Sequence, residues 1–329
     1  MRKESIKKIL QIVGSFAIGF LIFYLVYKDQ DLVMMKEELS KGNLFWIIFP
    51  VFLGASSHFV RALRWKQLIE PLGKSPRLIN VYFAVMTGYF ANYLLPRAGE
   101  VARCGVLKKY EDIPFTELLG TVIAERAFDL IILLCFIGAA IFTQLDVFSQ
   151  IFASGSSFED KFGWIIYNPI VWILALVAIA FLFAIRRRLR NMTLVKKGKE
   201  LAKNVINGIK TFFKVKNKPL FLFYTAIIWL FYFDMLYLSF NAFDFTKELG
   251  VTCGLSTFSI GSLGIVAPVQ GGIGAWHFLT IESLKFYGVA ALQAATFAFV
   301  VHLMQTLMIL IIGFISFVSL PFVNKTRRQ

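Results

Sequence analysis

The sequence of 329 residues contains few charged residues and few cysteines, and it lacks the common motifs for nucleotides and metals. Charged residues make up only 17% of the chain, whereas soluble domains contain about 25%. The three cysteines lie far apart, so they offer neither a disulfide framework nor a zinc-ligand spacing. The absence of a phosphate-loop pattern and of His-Glu-x-x-His argues against ATP hydrolysis and zinc catalysis. We therefore predict no metal and no cofactor.

Long apolar runs dominate what remains, because 57% of the residues are hydrophobic. A run of about 20 apolar residues is long enough to cross a bilayer as a helix. Eight candidates occupy residues 9–27, 44–60, 78–95, 115–142, 164–185, 220–240, 251–267 and 290–322. The interval 186–218 between two of them is the longest, and it is too short to fold around its own core. The sequence predicts an all-α polytopic membrane protein with a single domain over residues 1–329.

The charge distribution predicts the topology. The net charge is +15, and twelve of the 35 basic residues lie in 186–218. In a membrane protein such a concentration indicates a cytoplasmic segment rather than a nucleic-acid site. Eight crossings from a cytoplasmic amino terminus would put this segment outside, whereas about six crossings with two re-entrant hairpins put it inside. We therefore expect a multi-pass protein of the cytoplasmic (inner) membrane with both termini in the cytoplasm, and eight crossings remain the alternative.

The two hairpins follow from paired Pro-x-x-Gly sequences. The first run would turn at Pro96 to Gly99, and the second would turn at Pro268 to Gly271. One hairpin would enter from the cytoplasm and the other from outside, which forms a potential inverted repeat like those of secondary transporters. The alternative is that the prolines and glycines only kink ordinary spans.

The basic segment 186–218 also contains a helical pattern. Between Leu194 and Phe213 apolar residues recur at helical spacing, with lysines on the opposite side. This pattern predicts an interfacial amphipathic helix that anchors the cytoplasmic face on anionic lipid, in preference to a specific partner site.

A group of charged residues lies in apolar surroundings and carries the first candidate site. A charge near the bilayer centre costs about 2.5 to 3.5 kcal/mol on insertion scales, so it usually faces a bundle interior or a wet cavity. Helical spacing lets Arg126 neutralise Asp129, which leaves Glu125 for Arg97 or Arg103. The group comprises Arg97, Glu100, Arg103, Glu125, Arg126 and Asp129, and the uncharged Asn92 is added to it as a candidate hydrogen-bond partner of the head group. It forms either a closed ion-pair network or a phosphate site at the helix amino terminus that begins at Arg97.

Two further sets complete the candidate site. Gln270, the backbone of Gly271, Gly272 and Gly274, and His302 could hydrogen-bond a polar head group, although close helix packing explains glycines and a lone histidine equally well. Arg61 and Arg64 stand beside Trp65 in the sequence, which indicates either arginines that snorkel to the interface or a first contact for an anionic lipid.

These motifs together resemble the lysylphosphatidylglycerol synthase transmembrane-region family of flippase-like membrane proteins. The resemblance covers nearly the whole chain. It depends on Arg-x-x-Arg-Trp at Arg61 to Trp65, the Asn-x-x-x-Pro and Gly-Glu-x-x-Arg sequence at Asn92 to Arg103, Glu-Arg-x-x-Asp at Glu125 to Asp129, and Pro-x-x-Gly-Gly-x-Gly at Pro268 to Gly274. The chain departs from the pattern at Arg97, which directly follows the proline, and at Val269-Gln270, where a Pro-Gly pair is usual.

The resemblance implies lipid handling. In multidomain members the membrane part moves aminoacylated phosphatidylglycerol and a soluble part synthesises it. This sequence shows no soluble region after its last apolar run, so we do not expect the synthase activity. We expect a flippase-like lipid translocase, whose partner is a membrane phospholipid, either anionic or aminoacylated phosphatidylglycerol, or a polyprenyl-linked lipid. A homo-oligomer is left open.

Two other functions remain as alternatives. The first is an intramembrane transferase that modifies lipids, with Glu125 or Asp129 as its general base. The second is a scaffold for a separately encoded aminoacyl-phospholipid synthase, which would bind through the basic segment 186–218.

Overall fold

The computed structural model describes residues 2–95, 98–144, 213–266 and 269–325. Every regular element in this part of the chain is helical. Its α-helices are α1 (Arg2–Tyr27), α2 (Leu32–Ser40), α3 (Leu44–Ile69), α4 (Leu78–Leu94), α5 (Gly99–Glu111), α6 (Phe115–Thr143), α7 (Lys218–Tyr237), α8 (Asp244–Lys247), α9 (Val251–Val266), α10 (Ala275–Phe286) and α11 (Ala291–Val323). Three short 3-10 helices cover Glu70–Leu72, Leu238–Ala242 and Gln270–Gly272.

Among the described residues, four helices are long and apolar enough to cross a bilayer. They are α3, α6, α7 and α11, and α1 adds a shorter apolar stretch at Phe16–Tyr27. These five match predicted crossings, while the crossing predicted at 164–185 lies outside the described residues. The prediction of an all-α polytopic membrane protein is confirmed. The amphipathic helix predicted at 194–213 falls almost entirely outside the described residues as well.

The helices α4 and α5 form a hairpin that is too short for two crossings. They contain 17 and 13 residues, which correspond to about 25 and 20 Å at 1.5 Å per residue, against about 30 Å of hydrocarbon. At the open end, Asn80 Nδ2 donates to Glu111 Oε1 at 2.6 Å. At the closed end a Cβ on Gly88 would lie 2.9 Å from the Gly99 carbonyl oxygen, so the two arms run antiparallel in close contact.

The helices α9 and α10 repeat this arrangement with 16 and 12 residues. The Thr257 and Ser283 hydroxyls lie 2.9 Å apart between the arms. Nearer the tip, a Cβ on Gly264 would lie 2.7 Å from the backbone of Trp276. In both hairpins a glycine therefore stands where the arms approach most closely. Its lack of a side chain allows the two helices to pack in direct contact. The turn residues Pro96, Arg97 and Pro268 lie outside the described residues.

The two hairpins open at opposite ends of the bundle. We call one end the Asn80 face, because Asn80 pairs there with Asn324 through two amide hydrogen bonds of 2.9 Å. We call the other end the α2 face, where Tyr27 donates to the Ala295 carbonyl at 3.2 Å. The first hairpin opens at the Asn80 face. The second opens at the α2 face, where Gln144 at the end of α6 donates to the Thr252 carbonyl at 2.6 Å. This is the inverted layout that the paired turn sequences predict.

Two clusters of buried apolar residues form the core. One surrounds Phe240 and Phe297 near the α2 face, and the other surrounds Trp65 and Leu118 near the Asn80 face. The closed ends of the hairpins meet between them, because Tyr93 of α4 lies against Gly271 of the second tip. Polar groups at the two tips are thus placed in the interior of the bundle.

We expect Gly264→Ala to destabilise the protein, because the added methyl would have to displace the α10 backbone at Trp276. Overpacking of this kind costs about 1 to 3 kcal/mol. The matched control is Gly138→Ala on α6, where nothing lies within 4 Å of the added Cβ. Thermal melting in detergent should fall for Gly264→Ala only. Equal melting of the two variants would contradict the close approach of the hairpin arms.

Candidate functional site

Five charged side chains from three helices are buried together near the Asn80 face. We call them the arginine–carboxylate cluster. Its members are Arg61 and Arg64 of α3, Arg103 of α5, and Glu125 and Asp129 of α6. None of the five side chains is more than 10% exposed. Spacings of three residues on α3 and four on α6 put each set on one helical face, so the two helices present complementary charges to each other.

Every carboxylate oxygen in the cluster accepts a bond from an arginine. Asp129 Oδ1 lies 2.8 Å from Arg64 Nη2, and Asp129 Oδ2 lies 2.7 Å from Arg61 Nη1. Glu125 Oε1 contacts Arg61 and lies 3.3 Å from Arg64 Nη2. Glu125 Oε2 lies 2.9 Å from Arg103 Nη1. The two carboxylates therefore cross-link α3, α5 and α6.

The cluster contains one more arginine than it contains carboxylates. Arg103 has no hydrogen-bond partner for Nε and Nη2 among the described residues, and Arg64 has none for Nε. The guanidinium of Arg103 lies over the ring of Trp65, 4.6 Å from its centroid, and Trp65 Nε1 donates to Thr121 Oγ1 at 2.9 Å. The ring thus orients an arginine whose Nε–Nη2 edge is the pair of donors that binds two oxygens of one oxyanion.

A second charged pair connects the cluster to partly exposed side chains on α5 and α6. Arg126 Nε lies 3.5 Å from Glu100 Oε1, and these side chains are 42% and 32% exposed. Arg126 Nη1 also lies 3.8 Å from Asp129 Oδ2. A series of contacting charged side chains therefore leads from the half-exposed Arg126 through Asp129 to the buried cluster.

The structure corrects one prediction about these residues and refines another. Arg61 and Arg64 do not snorkel to the interface, because a snorkelling arginine keeps its head in water and these two are only 2% and 0% exposed. The predicted pairing of Glu125 with Arg103 is confirmed. Asp129, which we assigned to Arg126, has its closest partners in Arg61 and Arg64. Arg97, the other predicted partner, lies outside the described residues.

Asn92 joins the two arms of the first hairpin. Its Oδ1 accepts from the backbone N–H of Gly99 at 2.7 Å, which satisfies one of the donors that a helix leaves free at its amino terminus. The residue that we assigned to a head group therefore binds the hairpin itself through its amide oxygen.

The second tip is tied to the first by a chain of hydrogen bonds that we call the tip network. His302 Nε2 lies 2.9 Å from the Gly271 carbonyl oxygen, and Thr306 Oγ1 lies 3.3 Å from His302 Nδ1. The Tyr93 hydroxyl lies 3.2 Å from Thr306 Oγ1. Since a carbonyl only accepts, Nε2 donates and Nδ1 accepts. Tyr93 then donates to Thr306, Thr306 donates to His302, and His302 donates to the Gly271 carbonyl.

The glycines of the second tip adopt conformations that other residues disfavour. Gly271, Gly272 and Gly274 have φ angles of 57, 77 and 82°, in the region open to glycine. The N–H of Gly274 donates to His277 Nδ1 at 3.3 Å, and Gln270 is buried. The glycines therefore shape the turn, and the backbone of Gly271 and Gly274 already takes part in bonds within the protein.

Two members of the tip network were missed from the sequence. Thr306 lies four residues after His302, so the pair shares a helical face, and that spacing was the available signal. Tyr93 gave no signal, because its partner belongs to a distant helix. Among the described residues, no three histidine, cysteine or carboxylate side chains are grouped so that they could hold a metal ion.

Comparisons with known proteins identify the family to which the sequence is similar. The family model described as "Lysylphosphatidylglycerol synthase TM region" matches residues 12–313. The chain is also 24% identical over 338 residues to the UPF0104 membrane protein MJ1595 of Methanocaldococcus jannaschii, covering 96% of each protein. No solved structure matches the chain significantly.

We expect Glu125→Gln to destabilise the protein strongly, because it raises the buried excess from one positive charge to two. Removing one partner of a buried ion pair costs about 3 to 5 kcal/mol. The double variant Arg103→Met/Glu125→Gln restores the original excess and should recover part of the loss. The control Glu282→Gln removes an exposed ion pair with Lys285 and should change stability by less than about 1 kcal/mol. Melting in detergent measures all three, and a double variant no better than Glu125→Gln would refute the charge balance.

Proposed function

The chain belongs to the lysylphosphatidylglycerol synthase transmembrane-region family of membrane proteins, and from this premise we propose that it is a lipid translocase. It moves a phospholipid or lipid-linked head group with a phosphate across the cytoplasmic membrane, while the acyl chains remain in the bilayer. The observation that carries the proposal is the buried arginine excess of the arginine–carboxylate cluster, together with the edge of Arg103 that has no partner among the described residues.

A buried excess charge favours binding of an opposite charge. An uncompensated charge in an apolar interior is costly, and a phosphodiester carries the one negative charge that would balance the cluster. The Nε–Nη2 edge of Arg103 provides two parallel donors for its two free oxygens. The ion pair with Glu125 and the ring of Trp65 keep that edge in place, so little side-chain freedom is lost on binding.

The head group reaches the cluster from the side of the bundle. Arg126 and Glu100 stand half-exposed where α5 and α6 meet, and Arg126 shares Asp129 with the buried arginines. A phosphate bound first at Arg126 can then be passed inward to Arg103. This step requires the first hairpin to move, since Arg103 is only 3% exposed in the present arrangement.

The hairpins supply the two sides of the pathway. They open at opposite faces and touch through the tip network, so movement of either hairpin alters the contact between Tyr93 and Gly271. In secondary transporters, comparable broken helices meet near the midplane around the substrate. Because the sequence has no ATP-binding motif, we propose transport that is downhill or coupled to an ion.

The arrangement supports translocation better than the transferase alternative. A general base needs an oxygen that is free to take a proton from the substrate. All four oxygens of Glu125 and Asp129 accept bonds from arginines. The scaffold alternative depends on segment 186–218, which lies almost entirely outside the described residues, so it stays a prediction.

We expect Arg103→Met to abolish most transport while the protein still inserts and folds. The variant leaves two arginines facing two carboxylates, so the net charge of the cluster is balanced, while the free edge and the bond from Arg103 to Glu125 Oε2 are both lost. A hydrogen bond to a charged group contributes about 1.5 to 3 kcal/mol, which corresponds to a decrease of roughly tenfold or more. Movement of labelled phospholipids between the leaflets of liposomes measures the effect. The matched control is Lys285→Met, which removes an exposed cation and should transport normally.

The same liposomes test the head group. Phosphatidylglycerol should move faster than phosphatidylethanolamine, because the ammonium of the second lipid adds a positive charge to a site that already has an excess. Aminoacylated phosphatidylglycerol and a polyprenyl phosphate serve as the other two probes. Wild-type rates equal to those of empty liposomes for all four lipids would overturn the proposed function, as would normal transport by Arg103→Met.

A further inference from the structure

A cavity of about 240 Å³ lies at the α2 face, far from the arginine–carboxylate cluster. It is open on one side and is bordered by the end of α1, the length of α2 and the first turns of α11. Its walls include Phe23, Tyr27, Met35, Lys36, Thr296 and Phe299. Its volume is about eight times the share of one water molecule in the liquid. No residue of the cluster or of the tip network takes part in these walls.

The walls offer a polar molecule almost nothing to bind. The Tyr27 hydroxyl already donates to the Ala295 carbonyl at 3.2 Å, and the Thr296 hydroxyl donates to the Leu292 carbonyl at 2.9 Å. The other wall residues are aliphatic or aromatic, except for Lys36. Apolar walls offer water few hydrogen-bond partners and accept hydrocarbon. The chemistry of the walls therefore selects a hydrocarbon chain.

The position of α2 places the cavity at the level of lipid tails. This helix begins just after α1 ends, with Asp31 as its N-cap. It exposes Leu32 and Val33 by 71% and 68%, as helices in the membrane interface do. Met35 points the other way and is only 7% exposed. The cavity thus lies beneath an interfacial helix, and it reaches the surface because the exposed Leu32 also lines it.

Lys36 supplies the second recognition element. Of the two acids that follow Lys36 on α2, Glu38 is bound to Lys41 at 2.8 Å, and neither Glu37 nor Lys36 forms an ion pair among the described residues. An ammonium group on an interfacial helix stands at the depth of lipid head groups, where the abundant anion is phosphate. One cation above an apolar cavity is complementary to a phospholipid, in which a phosphate stands above an acyl chain.

We propose that this cavity binds an acyl chain of one phospholipid from the leaflet at the α2 face, and that Lys36 binds its phosphate. The bound chain packs against Phe23 and Tyr27, whose rings lie 5.3 and 5.7 Å from that of His277 on α10. Through these two rings of α1, the bound lipid therefore supports α10 of the second hairpin. This site is separate from the proposed transport site and does not require that the protein moves lipids.

The first test counts the lipid that stays bound. The protein is purified from vesicles of phosphatidylglycerol and phosphatidylethanolamine, washed in detergent and examined by native mass spectrometry. Wild type should retain one phospholipid, and Thr296→Phe, which fills the cavity, should retain none. Lys36→Gln should lower retention several-fold. The matched control Leu307→Phe adds the same ring on α11 at a position that is 41% exposed and should retain the lipid.

A second test needs no variant, so a folding defect cannot obscure it. Wild type is illuminated with a phospholipid that carries a diazirine in its acyl chain, and the labelled peptides are identified. Adducts should form on the segments that contain Phe23, Met35 and Phe299. The proposal fails if adducts occur only elsewhere, if wild type retains detergent alone, or if Thr296→Phe retains as much lipid as the control. None of these readouts depends on transport.

Discussion

The electrostatic bond between α3 and α6 is the constraint on which the rest of the structure depends. Two carboxylates in the middle of an apolar helix would be costly to bury alone, and Arg61 and Arg64 compensate them from the neighbouring helix. Arg103 joins Glu125 from the first hairpin, so a short helix that does not cross the membrane is held in register by charge. Ion pairs thus hold the helices of this half of the molecule together. Apolar packing alone would do so poorly in lipid, because lipid tails are as apolar as the helix surfaces.

The other half of the molecule is held by different forces. The second hairpin contains no charged cluster among its described residues, and it is secured by close glycine contacts, the hydroxyl pair of Thr257 and Ser283, and the bond from His302 to Gly271. The two halves share a layout of inverted hairpins but not a chemistry. The asymmetry places the buried charge in the first half and the glycine-shaped backbone turn in the second, and the hydrogen bonds of the tip network connect the two hairpins.

Much of the candidate site could be predicted from the sequence, because charge in an apolar run is conspicuous. Glu125, Asp129 and Arg103 were identified in this way. The arginines of α3 were identified, but their surroundings were predicted wrongly. Near the predicted membrane interface an arginine side chain can reach either water or a buried carboxylate. Pairing with α6 depends on which face of α3 meets that helix, and that choice is made by packing. Tyr93 escaped notice because nothing in its local sequence shows that a distant threonine lies beside it.

The sequence by itself determined that the chain is a helical membrane protein with paired short arms, because length, apolarity and turn residues act locally along each segment. It also determined which residues carry charge into the bilayer. Only the tertiary structure decided that three arginines share two carboxylates and that a cavity opens beneath α2. It also decided that one edge of the Arg103 guanidinium has no hydrogen-bond partner among the described residues. These features arise from contacts between residues tens to hundreds of positions apart. Their geometry is set by how the helices pack, and no local pattern encodes it.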